Sequence, residues 1–116
     1  MARGVPRASA GTPGKSFAVT GLPKPTAFGQ AIAVDDWVFV VGGKDSVMTG
    51  AGHADVFAAH VESSGQLGAW KSLASLPQGR TAHAVAVGGD YLYVTGGGYD
   101  AGGLSTVFST RVRFEK

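Results

Sequence analysis

The chain has 116 residues, enough for one small domain, and its 19 Gly and 5 Pro leave little room for long helices. Hydrophobic residues make up 44% and charged residues 16%, the balance of a chain that folds, and the absence of cysteine excludes disulfides, thiolate zinc sites, cysteine nucleophiles and iron–sulfur clusters. The net charge of +2 is local: Arg3, Arg7 and Lys15 lie in the first fifteen residues, and from Ser16 onward seven Lys/Arg face eight Asp/Glu. A body of that charge, with its aromatics inside apolar runs, has no basic groove for nucleic acid.

Taken in chain order, residues 1–15 read as a flexible leader of Gly, Pro, Ser and Arg without periodicity. The small residues Ala8-Ser9-Ala10 resemble a signal-peptidase site, but no apolar core precedes them, so the chain as written carries no secretion signal. It reads either as intracellular or as a piece of a longer exported protein. Gly11-Thr-Pro-Gly-Lys-Ser16 resembles the end of a phosphate-binding loop, yet the pattern's first glycine falls on Ser9 and no strand–helix context surrounds it. No apolar run approaches the roughly 18 residues of a membrane helix.

A short strand fits residues 16–20. Further strands are expected near 28–34, 37–41, 55–62 and 68–74, then near 82–87, 91–95 and 106–113, because these runs are short, rich in β-branched and aromatic residues, and bounded by Gly, Pro, Asp and Ser. Asp35-Asp36 and Gly88-Gly89-Asp90 are the expected hairpin turns, since Asp and Gly tolerate positive φ.

These strands repeat. Leu22-Pro23 returns as Leu76-Pro77 and Gly42-Gly43 as Gly96-Gly97, both at a spacing of 54. Between them, allowing one-residue shifts in the turns, Ala31-Ile-Ala-Val34 matches Ala84-Val-Ala-Val87, and Trp37-Val-Phe-Val40 matches Tyr91-Leu-Tyr-Val94. A polar loop follows each glycine pair, and Val56-Phe57 or Val107-Phe108 follows each loop. The first unit (22–75) has four strands and the second (76–116) three.

The succession of Leu-Pro, apolar strand, turn, aromatic strand, Gly-Gly, loop, Val-Phe, Ser64-Gly-Gln-Leu-Gly68 and Trp70 resembles Kelch repeats, especially those of bacterial surface proteins. Arg80 and His83 stand where that family has Arg and a small residue or His. The first unit departs there, with Thr26 and with Gly29 or Gln30. Phe57 and Phe108 stand where the family has Tyr. The resemblance implies an all-β chain of two four-stranded propeller blades over residues 16–116, and the strand count, with Phe17 to Val19 placed before Leu22-Pro23 as Trp70 to Leu73 is before Leu76-Pro77, makes residues 16–21 the outer strand of a neighbouring blade. Two blades do not close a propeller of about four to eight. A partial propeller completed by oligomerisation is therefore expected, with the chain itself as partner, and a trimer gives the six blades common among Kelch rings.

Loops on a rigid sheet scaffold are where ligands bind. Lys44, Asp45, His53, Arg80, Tyr99 and Asp100 are the candidate contacts, in the loops after the glycine pairs and the turn before the second unit's first strand. Trp37, Trp70, Tyr91 and Tyr93 sit inside apolar strands and are expected to pack between blades. His53 is expected on a surface loop, and His60 and His83 partly buried. No metal, cofactor or catalytic set is expected: the histidines are far apart, and no nucleophile elbow occurs. The reading is a non-enzymatic scaffold binding a protein or other ligand. The alternatives are a glycan-binding lectin, a small hydrolase or isomerase working at the central channel with carboxylates such as Asp45, Asp55 and Asp100, and a fragment of a longer Kelch protein.

Overall fold

The structure, a computed structural model, describes residues 14, 16–46, 51–99 and 102–112. Among them are strands β1 (Gln30–Val34), β2 (Trp37–Val41), β3 (Val56–His60), β4 (Lys71–Ser72), β5 (Ala84–Gly88), β6 (Tyr91–Thr95), β7 (Gly98–Tyr99), β8 (Gly102–Gly103) and β9 (Val107–Arg111), and no helix. The chain is all-β. β1 to β4 form one antiparallel sheet in sequence order, β5, β6 and β9 a second, and β7 with β8 a small hairpin between β6 and β9.

The strands are shorter than their apolar runs, for local reasons. Phe28 (φ 60) and Ala82 (φ 56) hold left-handed backbone, which ends an extended segment, so β1 and β5 start two residues later. The two hairpins turn at Asp35 (φ 55) and Gly89 (φ 59), residue types that accept such angles. The outer run of the first unit pairs only over Lys71 and Ser72. The β7–β8 hairpin falls in a glycine-rich stretch with no strand propensity.

Residues 16–20, expected as a strand, join no ladder. A strand needs a neighbouring edge, and this segment instead meets the far end of the first unit. The Thr20 hydroxyl donates to the Leu67 carbonyl at 2.8 Å, and the Trp70 indole N–H donates to the Thr20 carbonyl at 3.0 Å.

Cross-strand partners share a face, so the registers define the packing. One face of the first sheet carries Ile32, Val34, Phe39, Val41, Val56 and Ala58. It meets the face of the second sheet that carries Val85, Val87, Leu92, Val94 and Phe108, with β1 against β5. Val41, Leu92 and Val94 are wholly buried there; burying side chains of this size contributes about 1.5–3 kcal/mol each. The other face of the second sheet is open, with Tyr91, Tyr93 and Val107 exposed beside Ala84 and Ala86.

Candidate functional site

The connections at one end of both sheets are sewn together by backbone hydrogen bonds. Ala27 and Lys44 exchange a pair of them at 2.7 and 2.8 Å; Thr81 and Gly98 do the same at 2.9 and 2.8 Å, each residue 54 positions after its counterpart. Across the units, the Gly43 N–H donates to the Arg80 carbonyl at 2.8 Å and the Ala82 N–H to the Phe28 carbonyl at 2.9 Å. Lys44, His53, Arg80 and Tyr99 are therefore gathered at this end, whereas Asp100 lies outside the described residues.

Arg80 is placed unlike the other candidates. It is fully buried, 0% exposed, and its guanidinium donates to the Gly96 carbonyl at 2.8 Å, the Thr106 carbonyl at 3.1 Å and the Thr106 hydroxyl at 2.6 Å. Its carbon centre lies 4.6 Å from the Phe108 ring centroid, over the ring. Burial lowers its pKa below the ordinary guanidinium value. Arg80 thus braces the mouth of the β6–β9 connection and presents no donor to solvent.

In the first unit a partly exposed ion pair stands near the matching place. The Lys24 ammonium donates to the Asp55 carboxylate at 2.8 Å, and Asp55 precedes β3 as Thr106 precedes β9. That hydrogen bond raises the Lys24 pKa above 10.5. Neither Lys24 nor Asp55 is among the sequence-expected ligand contacts. The cation has moved two positions from Thr26, the counterpart of Arg80, so alignment of the repeats hides it.

His53 lies between two carboxylates, with Nδ1 3.2 Å from an Asp55 oxygen and Nε2 3.8 Å from an Asp45 oxygen. Its side chain is 17% exposed and both ring nitrogens are sealed from solvent, a deeper position than a surface loop implies. Asp45 is exposed, and the Lys44 ammonium lies 5.5 Å from the Phe28 ring centroid. Tyr99 is exposed in the β7–β8 hairpin. Although Asp45, His53 and Asp55 converge, no group of three or more such side chains is arranged to hold a metal ion among the described residues.

The remaining histidines divide by partner. His60, expected to be partly buried, has a side chain 45% exposed; its Nε2 is 2.9 Å from the Asp36 carboxylate and its ring meets Trp37 edge to face. His83 is buried under the glycine pairs, and its Nε2–H donates to the Val41 carbonyl at 2.7 Å. Burial lowers the His83 pKa, the Val41 bond opposes this, and the Arg80 charge adds to the lowering. A histidine with a depressed folded-state pKa takes up its proton first in the unfolded chain, so its contribution to stability is complete above about pH 6.5 and declines as pH falls below it. The expected result is a His83→Asn variant whose stability, measured by urea unfolding, falls less steeply than the parent's between pH 7.5 and 5.5. Parallel slopes in the two proteins would contradict this.

No family model matches the chain, and no curated protein matches it.

Proposed function

We propose that this chain is a non-enzymatic scaffold of two Kelch-like propeller blades, that copies of it stack head to tail into a closed ring, and that the sewn loop end of the ring binds a protein or other ligand. The observation that carries the reading is the way the two sheets stack. The first sheet meets the second through the face bearing Phe39, Val41, Val56 and Ala58. The repeat places Tyr93, Thr95, Val107 and Ser109 at the corresponding positions of the second sheet, and that face is uncovered. The first sheet in turn keeps a second face, bearing Ala31, Ala33, Val38 and Val40, that corresponds to the packed face of the second sheet. Repeating the internal stacking step therefore sets the tyrosine face of one copy on the alanine–valine face of the next.

Such a contact is heterologous, and it closes when the rotation per copy divides the circle. Three copies give six blades, within the range of known propellers. Identical loops repeated around a ring suit avid binding of a repeated or extended ligand. Lys44, Asp45, Tyr99 and Asp100 are the residues proposed to meet it, while Arg80 and His53 hold the loops in place.

Light scattering across a dilution series tests the ring. An 11.7 kDa chain is expected at about 35 kDa, independent of concentration, and Tyr93→Lys on the open face is expected to yield single copies. A parent protein that stays at the mass of one copy overturns the ring. Peptide and glycan arrays probed with the assembled protein test binding: retention lost in Lys44→Ala or Tyr99→Ala supports the loop end, and glycan retention would move the reading to a lectin.

A further inference from the structure

Resting on the head-to-tail reading above, we propose that residues 16–20 of one copy add to the β9 edge of the preceding copy as the fourth strand of its second sheet. The first sheet has four strands and the second three, so the outer edge of β9 has no strand beside it among the described residues. An apolar groove of about 240 Å³ lies between the outer part of the first sheet and the end of β9, lined by Trp37, Phe39, Ala58, Lys71, Leu73 and Val112. A fourth strand on β9 would cover it.

The repeat names the occupant. Phe17-Ala-Val-Thr20 precedes Leu22-Pro23 as Lys71-Ser-Leu-Ala74 precedes Leu76-Pro77. Among the described residues these pair with no strand, and Phe17 is 58% and Val19 38% exposed. Thr20 nevertheless fixes the segment beside Trp70, next to β4, through the two hydrogen bonds to Leu67 and Trp70. Lys71 lies opposite Ala58 and points to the packed face, so Trp70 and Ser72 belong to the other face of the first sheet. The segment thus stands on the side of the first sheet where a preceding copy would stack, and it meets that copy's β9 without leaving its place.

The register carries over as well. Ser72 lies opposite Phe57, Lys71 lies opposite Ala58, and the Leu73 N–H donates to the Val56 carbonyl at 2.8 Å. The counterparts put Ala18 opposite Phe108, Phe17 opposite Ser109 and Val19 opposite Val107. Alternation then turns Ala18 toward the groove with Phe108, and turns Phe17 and Val19 to the tyrosine face. A small residue enters the groove and two large ones extend the surface on which the next copy stacks.

Because the chain has no cysteine, directed disulfides read this register cleanly. Directly opposed residues in an antiparallel pair lie at a spacing a disulfide spans. Phe17→Cys and Ser109→Cys, made separately and with different tags, are mixed and oxidised. The expected product is the mixed dimer carrying one of each tag, with neither variant linking to itself. A double variant that closes the bond within one chain overturns the proposal. So does a mixture that stays unlinked while light scattering still reports about three copies; in that case the ring stands and the strand exchange falls. A protein found as single copies without linkage removes both.

Discussion

Replacing Arg80 with methionine is expected to lower stability by about 3 kcal/mol, an effect carried by hydrogen bonds and not by lost volume. The side chain is fully buried and its guanidinium donates three bonds, to Gly96 O, Thr106 O and Thr106 Oγ1. Bonds from a charged donor contribute about 1.5–3 kcal/mol each, and a buried acceptor left without a donor costs about 1–3 kcal/mol. Against this, methionine removes a buried cation whose desolvation is itself costly, which is why the expected loss is well below the sum of the bonds. Arg80→Lys is expected to recover little, since one ammonium cannot span two carbonyls and a hydroxyl in a planar fork. Urea unfolding with an unchanged m-value is the measurement, and a double-mutant cycle with Thr106→Val isolates the hydroxyl bond. A loss under about 1 kcal/mol for Arg80→Met would mean that the brace is dispensable and that the arginine is free for another role.

The contrast between the two units shows what the sequence makes legible. The spacing of 54, the glycine pairs and the alternating strands are local patterns, and each is found in the fold: a four-stranded antiparallel sheet in the first unit and a three-stranded one in the second. The turns at Asp35 and Gly89 follow from residue type. Partnerships across loops are not local. Arg80 lies 16 positions from Gly96 and 26 from Thr106, so nothing in its neighbourhood separates a buried brace from an exposed ligand contact.

The same limit hides Lys24 and Asp55. Lys24 sits between two prolines and Asp55 at the edge of a strand, each unremarkable alone, and only the fold brings them to 2.8 Å. His53 is deeper than its glycine-rich surroundings suggest because its loop turns inward: the His53 N–H donates to the Gly43 carbonyl and the His53 carbonyl accepts from the Arg80 N–H. The strand expected at residues 16–20 has the right composition but joins no edge among the described residues. Propensity describes a segment, and a strand is a relation between two.

The glycine pairs give the second large effect, and they give it unequally. Gly96 (φ +63) and Gly97 (φ +89) both hold left-handed backbone, where an L side chain costs about 1–2 kcal/mol. A Cβ on Gly96 would meet nothing nearer than the Leu104 carbonyl at 3.6 Å, so Gly96→Ala is expected to lose only that conformational cost. A Cβ on Gly97 would stand 2.7 Å from the Thr81 carbonyl and 2.8 Å from the His83 Cβ, neither of which is the free end of a flexible chain. Gly97→Ala is therefore expected to lose about 2–5 kcal/mol, the left-handed penalty plus overpacking of about 1–3 kcal/mol. Gly42 (φ +67) crowds the other side of the same residue, its Cβ falling 2.6 Å from the His83 Cε1 and 2.8 Å from the Arg80 carbonyl. His83 is thus clamped between one glycine from each unit, and the two sites are mechanically coupled. Once either alanine has displaced His83, the second costs less, so the double variant Gly42→Ala/Gly97→Ala is expected to fall short of the sum of the single losses. Urea unfolding of the four proteins decides this: strict additivity would show that the units tolerate crowding independently and that His83 is no shared support.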